Sequence, residues 1–147
     1  MADQNRRLVL AQRPTGMVDD SVVRLETVDV PEPGPGEAVV KVSHLSIDPT
    51  IRTWMDDAPG YLPPIEIDAV IRTGALGTVV ASQNDHFPVG ATIFGMLGWQ
   101  DYFVLDDTPG AGQVVPEGVD PTAVLSVFGV TGMTAYFGLL DIGQPKE

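Results

Sequence analysis

Seven short runs of β-branched or alternating apolar residues follow one another through most of the chain, each closed by turn residues. They lie at 7–12 (RLVLAQ), 22–30 (VVRLETVDV), 37–47 (EAVVKVSHLSI), 76–82 (LGTVVAS), 91–97 (ATIFGML), 101–106 (DYFVLD) and 112–117 (GQVVPE). In the third run Val39, Lys41, Ser43, Leu45 and Ile47 alternate with Val40, Val42, His44 and Ser46, the period of an extended strand with mixed faces. No long helical pattern separates the runs. Parallel strands need crossover segments of a dozen or more residues, so the spacing predicts an antiparallel barrel or sandwich rather than a doubly wound sheet. PEPGPGE (31–37) cannot join a ladder, because Pro31, Pro33 and Pro35 lack the donor, and reads as an extended surface connection.

With 147 residues, 44% of them hydrophobic and 19% charged, the chain can bury one core plus a fragment of a second unit. A net charge of −12 repels phosphates and anionic lipid, so neither nucleic acid nor a membrane is expected as a partner. The absence of cysteine removes disulfides and thiolate metal sites, and His44 and His86 alone are too few for a zinc cage. No apolar run approaches the ~20 residues that span a bilayer. MADQNRR lacks the apolar core of a secretory signal, so the expected location is cytoplasmic.

The pattern changes after Gly118. Asp120 can cap a helix with Pro121 in its first turn, and Val124, Leu125 and Phe128 form an apolar stripe. Beyond Gly129, Thr131 is a second cap candidate. Met133, Tyr136, Phe137 and Leu140 fall on one helical face, and Gly143 with Pro145 supplies a stop. That face needs something to pack against.

Three stretches carry candidate chemistry. In LSIDPTIRTWM (45–55) a strand runs into Asp48-Pro49, and Asp48 and Arg52 are spaced to pair across a helical turn; a capped turn with a surface ion pair and a ligand contact are both open readings. In FPVGATIFGMLGWQDYFVLD (87–106) Gly90, Gly95 and Gly98 break good strands, which reads as a barrel hairpin with Trp99 and Tyr102 partly in the core. In GVTGMTAYFGLLDIG (129–143) a glycine-flanked helix start with Thr131 and Thr134 offers either an ordinary cap or amides and hydroxyls for a polar ligand. His44 reads as a half-buried strand histidine and His86 as a loop residue. Asp56-Asp57 reads as a solvated loop, and no serine sits in a nucleophile elbow.

Taken in order, LSIDPTIR, FPVGATIFGMLGWQDYFVL and GMTAYFGLLDIGQPKE resemble the N-terminal part of the zinc-independent medium-chain dehydrogenase/reductase superfamily. The resemblance is to its prostaglandin reductase, leukotriene B4 dehydrogenase and alkenal double-bond reductase branch. It implies a mainly β, GroES-like, partly open barrel over residues 1–120. Residues 121–147 would then be a helical connector and the start of a truncated nucleotide-binding Rossmann domain. It further implies NADPH-dependent reduction of the C=C bond of an α,β-unsaturated aldehyde or ketone, no metal, and a homodimer for the full-length protein. The fragment alone is expected to be inactive.

By the same resemblance Asp48, Thr50, Arg52 and Tyr61 are substrate-side residues, and Val130 and Thr134 lie near the nicotinamide. Thr50 and Ile51 stand where the branch commonly has Tyr and Met, and Val130-Thr131 where it has Met-Pro, which implies a pocket of altered shape. A quinone reductase of the same superfamily and a stand-alone GroES-like binding or assembly module are the rival readings.

Overall fold

The computed structural model describes residues 3–146; Met1, Ala2 and Glu147, the outer ends of the two expected units, lie outside it. Every expected strand is present. Along the chain come β1 (Gln4–Leu10), β2 (Val23–Asp29), β3 (Ala38–Leu45), α1 (Thr50–Trp54) and β4 (Ala75–Ser82). They are followed by β5 (Thr92–Gly95), β6 (Tyr102–Leu105), β7 (Gly112–Val114), α2 (Pro121–Leu125) and α3 (Val130–Phe137). A π-helical segment, Gly138–Gly143, continues α3.

The strands form an antiparallel pair, β1-β2, and a five-stranded antiparallel sheet in the order β6-β3-β4-β5-β7. β1 joins the two. On one edge it pairs with β2, Leu8 opposite Leu25. On the other, Leu8 N donates to Trp99 O (2.9 Å), Ile71 N to Leu8 O (2.9 Å), Leu10 N to Ala69 O (3.0 Å) and Asp101 N to Arg6 O (2.9 Å). The result is the curled, partly open GroES-like barrel that the sequence implies.

Alternation builds the core. Ala38 and Val40 of β3 meet Val79 of β4, Ile93 of β5 and Leu105 of β6, with Phe87 and Leu97 closing the cluster. A second cluster sits under α1, where Ile51 and Met55, four apart on one helical face, pack on Leu10, Val22, Ile65 and Ile71. A third holds α2 on the barrel through Val124, Leu76 and Val115. Each such aliphatic side chain contributes about 1.5–3 kcal/mol by leaving water, before entropy is charged against it.

Gly95 meets a stricter demand. A Cβ there would overlap the Ala111 carbonyl oxygen and crowd the Gly112 Cα at 2.9 Å, backbone that cannot swing away. Glycine is what lets β7 close on β5. Trp99 is half-buried and Tyr102 buried, as the hairpin reading expects. His44 differs from expectation: it lies on β3 but is exposed, its Nδ1 3.0 Å from Ser43 Oγ, because the outer end of β3 runs past β6. Gly95→Ala is expected to lower stability by about 1–3 kcal/mol through overpacking, seen as a reduced urea midpoint with an unchanged slope.

Candidate functional site

The site begins at the elbow where β3 runs into α1. Its strand side is pinned by Ser46, whose amide donates to Gly74 O (2.8 Å) and whose carbonyl accepts from the fully buried Thr73 hydroxyl (2.6 Å). Its helix side is pinned by Ile51 and Met55 in the core. Between these anchors Asp48, Pro49 and Thr50 are held at the surface, Asp48 half-buried and Thr50 exposed. The Asp48 carboxylate accepts from the Ser46 hydroxyl (2.6 Å), and its carbonyl accepts from Ile51 N (3.0 Å), which starts the helical turn.

The expected Asp48–Arg52 pair does not form. Arg52 Nη1 instead donates to Asp56 Oδ1 (2.7 Å), one turn onward, and Nε donates to Gly16 O (3.0 Å). The guanidinium follows these acceptors, the Asp56 carboxylate and the carbonyls of Gly16 and Pro14, rather than Asp48. Arg52 therefore ties the 14–16 segment to α1 rather than presenting free donors at the elbow. Asp56, read as solvated, is half-buried by this pairing. Tyr61 lies in the loop after α1, 74% exposed, its ring edge-on to Trp54 at 6.1 Å.

The connector approaches the same end of the barrel. Leu125 Cδ2 packs beside Gly74, the residue that holds Ser46. Asp120 caps α2 as expected, accepting from Thr122 N (2.9 Å) and from its hydroxyl (2.8 Å), and these bonds hold its pKa below the ordinary carboxylate value. Thr131 is not the cap of α3. Gly129 is, and Thr131 stands inside the helix, because Gly132 passes so close to the Val127 carbonyl that a Cβ there would overlap it. Of the amides the sequence offers to a ligand here, Gly129 N and Gly132 N are both spent on Ser126 O (3.2 Å each). Thr134 is exposed, and its hydroxyl donates to Val130 O (2.7 Å), leaving oxygen lone pairs to accept.

Val130 and Thr134 both face solvent, one apolar side chain and one hydroxyl a helical turn apart. Among the described residues no group of three His, Asp or Glu converges as a metal site. The elbow and the start of the connector are linked through Leu125, Gly74 and Ser46; Tyr61 is carried by the loop beyond α1.

Beside the elbow runs a groove of about 340 Å³, floored by Leu8, Leu25, Leu45, Ile47 and Trp99, which sequence reasoning did not single out. Its rim charges are neutralised within the chain. Arg6 grips Asp101 with two hydrogen bonds (2.8 and 3.2 Å) and keeps that carboxylate's pKa low, and Arg7 pairs with Glu26 (2.9 Å). None of the sequence-predicted site residues lines it. The alternation of Leu45 and Ile47 was the signal, since two exposed apolar residues on one face of a strand end leave that face unpaired.

Arg52→Gln is expected to cost about 0.5–1.5 kcal/mol by removing partly exposed charge-assisted bonds between α1 and the 14–16 segment. Denaturant unfolding reads the loss, and faster amide exchange confined to residues 13–17 and 52–56 locates it.

Residues 6–113 match the family model for the N-terminal domain of oxidoreductase. The chain is 43% identical to the NADPH-dependent curcumin reductase of Escherichia coli (strain K12), over 98% of this chain and 41% of that protein. It is 28% identical to the 2-alkenal reductase (NADP(+)-dependent) of Nicotiana tabacum, over 97% of this chain and 43% of that protein. Among solved structures, CurA from Vibrio vulnificus in complex with NADPH superposes with a TM-score of 0.86 at 40% identity, over 97% of this chain and 42% of that one. The chain therefore spans less than half the length of these relatives. With its partly open barrel joined by the first strand, its Asp-Pro elbow leading into α1 and its glycine-started connector helix, this chain belongs to the medium-chain dehydrogenase/reductase superfamily and matches the N-terminal domain of its members.

Proposed function

We propose that the chain is the substrate-side part of an NADPH-dependent reductase acting on the C=C bond of α,β-unsaturated aldehydes or ketones. Residues 1–120 would form the substrate-side domain, and 121–147 the connector toward a dinucleotide-binding unit. The observation that carries the reading is the likeness to a curcumin reductase over 98% of the chain, joined to an elbow that displays neutral hydroxyl chemistry at Thr50.

NADPH, when bound, supplies a hydride to the β-carbon of the enone. Negative charge then develops on the carbonyl oxygen, and a proton from solvent or a neighbouring acid completes reduction at the α-carbon. The chain's own part is orientation and charge stabilisation. Thr50 and Tyr61 are the neutral donors for that oxygen, Thr50 from a backbone fixed on both sides by core contacts. Asp48, engaged by Ser46, fixes the elbow rather than moving a proton. Arg52 contributes by holding α1. Val130 and Thr134 would face the nicotinamide, with the Thr134 oxygen free to accept. Thr50 is small where the branch commonly has an aromatic residue, and this is expected to favour bulky conjugated ketones over short alkenals.

In the intact protein, NADPH oxidation is expected with 2-alkenals and alkenones, with the saturated carbonyl as product by mass spectrometry. Thr50→Tyr is expected to shift the ratio of kcat/KM between a bulky enone and a short alkenal by about tenfold toward the short one. Preference for quinones would favour the quinone reductase reading, and absence of any NADPH turnover would leave a binding module. An unchanged substrate profile for Thr50→Tyr would remove Thr50 from the pocket.

A further inference from the structure

Tyr61 is offered by a loop that has little to hold it. The chain leaves α1 at Met55 and returns at Ile65 through Pro59, Gly60, Pro63 and Pro64, and residues 57–61 are all exposed. Its ends meet at one backbone bond, Ile65 N to Trp54 O (2.7 Å). One such bond and one edge-on aromatic contact are each weak on their own, which leaves a loop of this length free to open locally.

A second tie comes from far away in sequence. Arg13, just beyond β1, is half-buried, and its Nη1 donates to Met55 O (2.9 Å) and to Ile65 O, one on each side of the loop's neck. In a chain with 20 carboxylates, this guanidinium forms no ion pair among the described residues and spends its charge on two carbonyls. The segment that presents it is held in return, since Arg52 of α1 donates to Gly16 O and Pro14 O (3.0 and 3.4 Å). Arg72 braces the loop's far side, donating to Pro63 O (2.6 Å) with its guanidinium 5.1 Å from the centre of the Trp54 ring. Among these cations Arg13 is the one that bridges both ends of the neck.

We propose that Arg13 is a positioning residue: by clamping the neck at Met55 and Ile65 it pre-organises loop 55–65 and sets where Tyr61 stands for the substrate. The proposal rests on the reading that Tyr61 contacts substrate. Charge-assisted bonds to two carbonyls hold the neck more firmly than the single amide bond does, so the loop need not be ordered at the expense of binding energy.

The test uses the intact protein with Arg13→Met, which keeps length and apolar bulk but no donor, and Arg13→Lys, which keeps a charged donor. Arg13→Met is expected to speed amide exchange at residues 55–65 at least about tenfold while the strand amides stay unchanged. It should also raise KM for a 2-alkenal about tenfold with kcat within about twofold and KM for NADPH unaltered. Arg13→Lys should restore most of both. In combination with Tyr61→Ala, Arg13→Met should add nothing further to KM, since both changes remove the same placed ring. Unchanged exchange in the loop, or KM effects of Arg13→Met and Tyr61→Ala that simply multiply, would overturn the assignment. Should Arg13→Met fail to fold, Arg13→Leu, which likewise has no donor, is read in the same way. If the wild-type protein reduces no enone, the reductase reading falls by that observation, and the exchange arm alone decides whether Arg13 holds the neck.

Discussion

The fold depends on β1 being hydrogen-bonded along both edges. One edge carries β2, and the other receives the 69–71 and 99–101 segments through bonds at Arg6, Leu8 and Leu10. A strand with one free edge would leave a row of unpaired amides and carbonyls open to another chain; here that row is consumed internally. Because Ile71 and Trp99 are also bonded to each other (2.9 Å), the three segments lock as a set. Neighbouring residues inherit their position from this set. Thr73 and Gly74, two and three residues beyond Ile71, hold the elbow at Ser46, and Arg13 leaves β1 already aimed at the neck of the next loop.

The second organising constraint is electrostatic scarcity. Against 20 acidic groups there are 8 Lys and Arg, and among the described residues Arg6, Arg7, Arg13, Arg24, Lys41, Arg52 and Arg72 are each engaged in a tie between segments. Arg24 bridges Glu26 and Asp68, Arg6 takes Asp101, and Lys41 lies 3.7 Å from Asp3. Exposed pairs of this kind contribute little individually. Their chemical effect lies in what they withhold: no arginine remains free at the elbow to bind an anion. What the elbow displays instead is the neutral Thr50 hydroxyl. Neutral donors strengthen as charge develops on an oxygen and do not bind a ground-state carboxylate strongly, which is consistent with the proposed enone reading.

What the sequence revealed divides along the same line. Strand positions were legible because alternation is a local property; all seven runs became strands, trimmed by up to three residues at most ends. β1 moved the other way, starting at Gln4 rather than Arg7, because its early residues are recruited by β2, which no local pattern records. The Asp120 cap was legible since acceptor and donor are two residues apart. Asp48–Arg52 failed because spacing states which groups could meet and not which rival acceptors compete; Gly16 O lies thirty-six positions away from Arg52. Thr131 failed as a cap because a backbone approach at Gly132 set the helix start earlier. Arg13 carried no motif. The only hint was its rarity as a cation in an acidic chain.

The connector shows what local stability cannot supply. α3 buries none of its residues, and Val130, Met133, Tyr136, Phe137 and Leu140 all face solvent, as does Ile142 in the π-helical segment at 83% exposure. An eight-residue helix is marginal in water on its own. Its order must come from covering that apolar face, and relatives extend for more than half their length beyond the region matched here. The mechanical path from such a cover to the elbow is short: α3 starts from the Ser126 carbonyl, Ser126 ends α2, Leu125 packs on Gly74, and Gly74 holds Ser46. Whatever covers α3 therefore bears on the same backbone that places Thr50.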